Sequence, residues 1–382
     1  MAAGPLTGLR VVELGGLGPA PFTAMLLSDM GADVVRVDRV AEAGRRKPNL
    51  VNRGRRSIAI DLKAERGRDV VLRLLDGADV LIEGYRPGVV ERLGVGPDPV
   101  RTRNPKLVYA RATGWGQTGP LAARAGHDID YIALSGALGS IGRRGAPPTP
   151  PLNLIGDFAG GGTLLAFGIL AALLEAQRSG AGQVIDSAML DGAAVLMTMF
   201  FTYRNNGTLG PRGTNPLDSG APYYDVYETA DSRWLAVGAV EPQFYAQLLD
   251  GLGVDAADLP PRDDRTRWPE LRERFAALFA TRTRDQWCDI FEHRDACVAP
   301  VLELDEVELH PHNQERQVFS RVGGWIQPNP APRFERTPGG IQGPPPRIGQ
   351  HTVAVLRDAG LADEEVDGLL ADGVVAGSAA GR

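Results

Sequence analysis

Two residues that suit proton transfer stand beside glycine-rich segments in this chain. His127, one of five histidines, follows a glycine at a predicted helix start. Asp157 precedes a run of three glycines and a long apolar helix, whose first peptide N–H groups can bind negative charge. Histidine and aspartate are common general acid–base groups. A structural histidine and an N-cap carboxylate are the ordinary alternatives.

Two glutamates occupy positions where predicted elements begin or end. Glu83 closes a strand at the carboxyl edge, where α/β sheets place their ligands. Glu241 stands directly before a proline at a predicted helix start, which is also an ordinary capping position. A surface carboxylate is the simple alternative for each.

Residues 13–21 (ELGGLGPAP) follow a strand and open a helix, with Asp38 closing the next strand. This arrangement imitates a dinucleotide-binding fingerprint. Pro21 replaces the third glycine, and Arg36 and Arg39 flank the acid, so a simple glycine-rich turn is at least as good an interpretation. NAD binding by an oxidoreductase is therefore a disfavoured alternative.

Other sequence signatures of chemistry are weak. Cys288 and Cys297 fit no metal or disulfide pattern, and Cys297 has no sequence support as a nucleophile. His310 and His312 lack a nearby acid or cysteine that would complete a metal site. We expect no bound metal.

The elements that must position these residues alternate between strands and helices. The predicted strands are 10–14, 33–38, 57–60, 80–83, 107–111 and 183–185, with helices at 64–75 and 161–177. Such alternation predicts a parallel sheet covered by helices. Beyond residue 222 the pattern changes to an antiparallel pair, 223–227 and 234–240, followed by helices at 244–252, 269–279 and 284–291.

Length, composition and charge limit the class of protein. With 382 residues, 43% hydrophobic and 23% charged, the chain suits a globular protein of two domains. Its net charge of −6 argues against a nucleic-acid partner. The N-terminus has no secretory pattern, and the longest uncharged run, 158–174, is short for a membrane span. We expect a cytoplasmic enzyme without stable membrane association.

Five segments carry a much more specific signal. They are residues 31–38 (GADVVRVD), 52–63 (NRGRRSIAIDLK), 81–88 (LIEGYRPG), 113–120 (TGWGQTGP) and 126–131 (GHDIDY). In order and spacing they closely resemble the α-methylacyl-CoA racemases of the class III CoA-transferase (CaiB/BaiF-type) superfamily. The resemblance extends from Gly8 to residues 349–352 (GQHT), which is nearly the whole chain.

The resemblance implies an α/β fold with two domains in an interlocked homodimer. A Rossmann-like large domain with a parallel sheet would comprise residues 1–206, completed by 324–382. Residues 207–222 and 319–323 would be linkers to a smaller α+β domain at 223–318. Active sites would form between the large domain of one subunit and the small domain of the other.

The resemblance also implies the chemistry and its residues. The family epimerises 2-methylacyl-CoA thioesters through an enolate, without a cofactor beyond the CoA of the substrate. His127 and Asp157 would be the two acid/bases, Glu83 would pair with His127, and Glu241 would enter from the partner subunit. The positions matching substrate or CoA contacts are Arg39, Arg53, Ile60, Asp61, Leu62, Lys63, Gly84, Tyr85, Arg86, Arg92, Gly126, His127, Asp128, Ile129, Asp130 and Tyr131.

A CoA-transferase of the same superfamily is the main alternative. There the Asp157 carboxylate would attack the thioester and carry the acyl group as an anhydride. The acyl group of the substrate stays open, because branched fatty acyl, sterol side-chain and aryl-propionyl thioesters share the same 2-methyl centre.

Overall fold

The computed structural model describes residues 4–45 and 49–377. These residues divide into two compact units. The described residues within Met1–Ser135, Leu152–Leu196 and Arg316–Arg382 form the first unit, and Gly136–Pro151 with Met197–Glu315 form the second.

The strands and helices alternate through the first half of the chain. The strands are β1 (Arg10–Leu14), β2 (Asp33–Asp38), β3 (Arg55–Ile60), β4 (Val80–Glu83), β5 (Val108–Thr113), β6 (Val184–Ala188), β7 (Tyr224–Glu228), β8 (Trp234–Gly238), β9 (Val298–Pro300), β10 (Phe319–Val322), β11 (Trp325–Pro328) and β12 (Val375–Ala376). The α-helices are α1 (Pro19–Asp29), α2 (Glu65–Asp76), α3 (Val89–Arg92), α4 (Pro97–Arg103), α5 (Asp128–Leu134), α6 (Ala137–Ser140), α7 (Leu164–Ser179), α8 (Met189–Leu196), α9 (Thr198–Asn205), α10 (Pro242–Leu252), α11 (Trp268–Phe279), α12 (Arg284–Phe291), α13 (Pro311–Glu315), α14 (Thr352–Asp358) and α15 (Asp363–Ala371). A π-helix spans Leu154–Thr163, and short 3₁₀ turns span Val40–Glu42, Leu50–Asn52, Ala256–Asp258 and Arg265–Arg267.

A seven-stranded sheet in the order β12-β3-β2-β1-β4-β5-β6 organises the first unit. Strands β1 to β6 pair in parallel, and the short β12 pairs antiparallel with β3. The predicted α/β architecture with a parallel sheet is thereby confirmed. Strands β1 to β5 are mostly buried on both faces, since helices cover both sides of a parallel sheet. Several of their buried side chains are charged, among them Glu13, Arg36 and Glu83.

The strand order reverses between β1 and β4, which are neighbours although β2 and β3 come between them in sequence. In open α/β sheets such a reversal opens a crevice at the carboxyl ends of the strands, where ligands bind. The loops that follow β1 and β4 therefore frame the expected position of a site.

Glycines shape the π-helix that precedes α7. A side chain at Gly160 would meet the backbone of α8 at 2.7 Å, and one at Gly162 would meet Phe22 of α1 at 2.6 Å. The sequence predicted that this helix begins at residue 161, but helical structure begins at Leu154. Asp157 therefore lies in the first turn of the π-helix, and such wide turns occur frequently at functional sites.

The continuous helical stretch Leu154–Ser179 is long and apolar enough to cross a membrane by length and composition alone. The core helix of a soluble protein can have the same length and composition, so these two properties alone do not indicate a membrane span. Leu165 and Ile169 of α7 are buried in the core beneath the sheet, whereas Phe167 and Leu174 are 68% and 59% exposed.

The second unit contains a three-stranded antiparallel sheet, β7-β8-β9. The predicted antiparallel pair is present, and β9 adds a third strand. Helices α10, α11 and α12 supply an aromatic core that includes Phe275, Phe279 and Trp287, each fully buried.

The two units divide the chain differently from the sequence boundaries. Residues 136–151 belong to the second unit, which also includes α9 and the predicted linker 207–222. That segment is folded around Asn215 and Asp218, whose side chains bond one another and nearby backbone groups. Strand β10 and the start of its turn occupy the predicted return linker at 319–323, and β11 follows at Trp325–Pro328.

Candidate active site

A cleft of about 390 Å³ lies within the first unit at the strand-order reversal. Its walls come from the loops after β1, β4 and β5, from the segment that leads into α5, and from the π-helix. The lining includes Leu17, Gly18, Pro19, Gly84, Tyr85, Arg86, Thr113, Gly114, Trp115, Arg124, Gly126, His127, Tyr131, Asp157 and Met189. The two predicted acid/base residues, His127 and Asp157, thus share one cleft.

His127 is the exposed residue that precedes α5, and its backbone is extended. Its N–H donates to Oδ2 of Asp130 at 2.9 Å, which fixes the peptide at the helix start. The imidazole is therefore presented from a fixed backbone position.

The carboxyl group of Asp157 contacts Asn153 and Gly18. Its Oδ2 accepts a hydrogen bond of 2.9 Å from the amide of Asn153, the residue before the π-helix. Gly18 packs against the same carboxyl group, because a Cβ at this position would stand 3.4 Å from it. Gly18 also has a φ of +69°, a backbone conformation that favours glycine.

The peptide N–H of Asp157 is already bonded. Oδ1 of Asp128 accepts from it at 2.7 Å. The nearby N–H of Gly156 opposes the rise in the pKa of Asp128 that burial causes. The sequence suggested that free amides at this helix start bind developing negative charge. The amide of Asp157 is not free, because the carboxylate of Asp128 occupies it.

Glu83 is completely buried, and its partners differ from the predicted one. It accepts from the N–H of Tyr85 at 2.7 Å and from Nε of Arg111 at 2.9 Å. Burial raises the pKa of its carboxyl group, and these two donors oppose the rise. Within the described residues Glu83 makes no hydrogen bond to His127, so it supports the loop after β4 rather than the imidazole.

Tyr131 and Trp115 form an aromatic wall of the cleft, with ring centroids 4.7 Å apart in an edge-to-face arrangement. Burial raises the pKa of the Tyr131 hydroxyl to about 12, and the charge of Asp157 adds to the rise. Gly114 lies against this ring, since a Cβ there would stand 2.2 Å from it. The phenol is therefore neutral at physiological pH.

Arg53, predicted as an active-site cation, is only 3% exposed. Its guanidinium makes two bonds to the Asp29 carboxylate, at 2.5 and 3.1 Å. It also donates to Gln327 and to the carbonyl of Pro328. The structure therefore makes Arg53 a core cation that joins α1 to hairpin β10–β11.

Five of the predicted CoA-contact positions line the cleft beside His127. They are Gly84, Tyr85, Arg86, Gly126 and Tyr131. Arg39 is close enough to Tyr85 for its charge to oppose the rise in the tyrosine's pKa that burial causes. The predicted positions outside the lining are Arg39, Arg53, Ile60, Asp61, Leu62, Lys63, Arg92, Asp128, Ile129 and Asp130.

Glu241 belongs to the second unit, where it is exposed and precedes α10. Its predicted entry into a partner's active site stays a prediction.

The apparent dinucleotide-binding fingerprint has no free acid that could bind a ribose, because Asp38 at the end of β2 is already bonded. Asp38 accepts from Nε of Arg36 at 3.0 Å and from the Ser57 hydroxyl at 2.8 Å. Arg36 also bonds the buried Glu13. The acid of the apparent dinucleotide fingerprint is thus part of a buried polar network.

The remaining candidates have no cluster around them. Among the described residues, no group of three or more His, Cys, Asp or Glu side chains could hold a metal ion. Burial raises the pKa of the Cys297 thiol, which lowers its reactive thiolate fraction.

Sequence reasoning did not assign Arg124, Trp115 or Asn153 to the site. Trp115 lies in the segment 113–120, which carries the family resemblance. Asn153 lies four residues before Asp157, a spacing that can bring two helical side chains together. Arg124 carried no signal of its own, because isolated arginines are usually solvated.

Comparison with known proteins identifies the family of this chain. The family model of CoA-transferase family III matches residues 6–352. An α-methylacyl-CoA racemase of Mus musculus is 49% identical over 97% of both chains, and that of Homo sapiens is 46% identical over 97% of both. A CaiB/BaiF family protein from Brucella suis has a solved structure with a TM-score of 0.80 and 25% identity, covering 94% of this chain and 100% of that one. The chain belongs to CoA-transferase family III.

Proposed function

We propose that this protein is an α-methylacyl-CoA racemase that interconverts the R and S forms of 2-methylacyl-CoA thioesters. The observation that carries the proposal is the presence of His127 and Asp157 in one cleft at the sheet's switch point. The names of the murine and human relatives, which match along nearly the whole chain, support the same activity.

The reaction requires only a proton exchange at the carbon next to the thioester carbonyl. One of the two residues removes the α-proton, and the C–H electron pair moves into an enolate. The other residue delivers a proton to the opposite face, which gives the other epimer. The reverse reaction exchanges the two roles, so atoms and charge balance without an oxidant or a reductant.

The surroundings of Asp157 suit a base that must release its proton again. Oδ2 is bound to Asn153, whereas Oδ1 has no hydrogen-bond donor among the described residues. The bound oxygen orients the carboxyl group, and the other oxygen is available for proton transfer. We propose Oδ1 as the atom that meets the α-proton.

Three arginines supply positive charge for the CoA moiety. Arg86 and Arg124 line the cleft, and Arg39 acts electrostatically on Tyr85. Arginine binds phosphate well because its planar guanidinium offers paired donors. We propose that these three arginines hold the phosphates, while Tyr85 and Tyr131 line the path of the pantetheine.

We also propose that the enzyme is a homodimer in which Glu241 reaches the site of the partner subunit. Phe167, Leu170 and Leu174 of α7 are 68%, 42% and 59% exposed, and their spacing places them on one helix face. A partner subunit that covers this face would bury it. Sedimentation velocity should give a dimer for the native protein and a smaller species for Leu174→Glu, whereas a native monomer would contradict the assembly.

The activity is tested with one pure 2-methylacyl-CoA epimer in deuterated water, without an acceptor acid. We expect a mixture near one to one, with one deuterium at the α-carbon and none elsewhere. A His127→Ala/Asp157→Asn double variant serves as the control and should leave the epimer unchanged.

A second assay, with a carboxylic acid added as CoA acceptor, separates racemase from transferase. If the native enzyme leaves both epimers unchanged but transfers CoA to an added carboxylic acid, Asp157 acts as a nucleophile and the racemase proposal is wrong.

A further inference from the structure

The side chain of Asp128 connects the two proposed acid/base residues. Asp128 follows His127 directly and is the first residue of α5. Its Oδ1 accepts from the backbone N–H of Asp157 at 2.7 Å. A single carboxylate therefore joins the helix start next to one base to the peptide group of the other.

The first peptide N–H groups of a helix lack partners within the helix, and a nearby side chain usually caps them. Here the cap comes from another helix, 29 residues earlier in the chain. Asp128 is 6% exposed, so its hydrogen bond to the π-helix is shielded from water and from competition.

The backbone of the π-helix is adapted to this contact. A Cβ at Gly156 would stand 2.6 Å from Oδ1 of Asp128 and 2.9 Å from its carboxyl carbon. Any side chain at position 156 would push the two helices apart. The glycine and the aspartate thus set one short distance between α5 and the π-helix.

We propose that Asp128 is the positioning residue that fixes the spacing between His127 and Asp157, an inference that rests on the racemase function proposed above. The Asp157 carboxyl group is oriented by Asn153, and the His127 backbone by Asp130. Asp128 adds the link between the two, so that one α-carbon meets both groups. Proton transfer depends steeply on such spacing, and an error of about 1 Å can cost roughly 100-fold in rate.

This role has a kinetic signature that general damage to the fold would not give. Inversion needs both bases at one carbon, whereas exchange of the α-proton without inversion needs only one base. In Asp128→Ala we expect inversion to fall about 100-fold, while His127 still exchanges the α-proton of the epimer that faces it. The KM for the CoA ester should change little, because the residues that line the cleft are intact.

The experiment measures deuterium exchange and inversion for each epimer in the native enzyme and in three variants. Asp128→Asn keeps an acceptor oxygen and should recover most of the inversion rate. Asp128→Glu keeps the charge but adds a methylene, so it should also raise the ratio of exchange to inversion. Asp79→Ala is the matched control, since Oδ2 of Asp79 accepts from the N–H of Arg10 at 2.8 Å outside the cleft.

An exchange-to-inversion ratio raised at least tenfold in Asp128→Ala, but unchanged in Asp79→Ala, supports the positioning role. A parallel loss of exchange and inversion, or inversion at the native rate, overturns it. If Asp128→Ala does not fold, the ratio in Asp128→Glu decides in the same way. Failure of the native enzyme to invert either epimer would instead contradict the proposed function, so the two failures are distinguishable.

Discussion

Replacement of Arg53 separates its predicted role in the site from its observed role in the core. The guanidinium is 3% exposed and its partner Asp29 is 2% exposed. In Arg53→Met, the Asp29 carboxylate, the Gln327 side chain and the Pro328 carbonyl all lose their donor. Removing one partner of a buried ion pair costs roughly 3–5 kcal/mol, mainly because the other charge stays buried without a partner.

That cost is a large part of the free energy of unfolding, which is about 5–15 kcal/mol for a typical domain. With an m-value of about 3 kcal/mol/M in urea, the midpoint should fall by roughly 1–2 M. We expect the KM for the acyl-CoA ester to stay within about twofold under conditions where the variant is folded, because Arg53 does not line the cleft. Tryptophan fluorescence in urea and steady-state racemisation measure the two quantities.

Two further variants sharpen this test. Arg53→Met/Asp29→Leu removes both charges and should recover part of the lost stability, since apolar replacement of a buried pair is often neutral or better. Arg92→Ala changes an exposed arginine and should leave the urea midpoint unchanged. If Arg53→Met keeps the native midpoint but raises KM tenfold or more, the buried ion pair is not its main role and the reasoning is wrong.

Three other predictions concern the bases, the assembly and pH. His127→Ala and Asp157→Asn should each lose inversion by about 10²–10⁴-fold. Each variant should still exchange the α-proton of one epimer, and proton NMR should show that the exchanging epimer differs between the two variants. Equal exchange of both epimers by both variants would mean that a single base serves both faces. Co-expressed His127→Ala and Glu241→Ala chains should regain activity in heterodimers, and no recovery would place each site within one subunit. Burial lowers the pKa of His351, whose Nδ1 accepts from the N–H of Ser57; the unfolded chain therefore binds this proton more tightly. The contribution of the neutral His351 to the free energy of unfolding is complete above pH 6.5, the pKa of the unfolded chain's histidine, and is lost as the pH falls through the lower pKa of the folded state. The urea midpoint of His351→Gln should therefore depend less on pH in this range.

The sequence was sufficient for the main architecture because the relevant signals are local. Buried strands such as 10–14 and 80–83 are short apolar runs bounded by turns, and β1 and β4 coincide with them. The family resemblance picks out His127 and Asp157, and the structure places both in one cleft. Local patterns thus predict the sheet, and the resemblance predicts which two residues share the cleft.

The partners of charged side chains could not be predicted in the same way. Arg53 belongs to a motif that otherwise looks functional, yet its contacts lie at residues 29, 327 and 328. Glu83 lies one residue from the cleft lining, but its side chain points to Tyr85 and Arg111. In both cases the side-chain direction is decided by residues that only the folded chain brings near.

The amide of Asp157 shows how one structural choice excludes another. The Asp128 carboxylate caps this N–H and fixes the position of the base, so the same N–H can no longer donate to an enolate oxygen. A fixed Asp157 is needed in both directions of the reaction, as acid and as base. Oδ2 of the buried Asp128 has no hydrogen-bond partner among the described residues, so the bond from the Asp157 N–H to Oδ1 is the main hydrogen bond that stabilises this carboxylate. The cap and the catalytic spacing therefore depend on each other, and a substitution that releases this amide to bind the substrate would displace the base that must act on it.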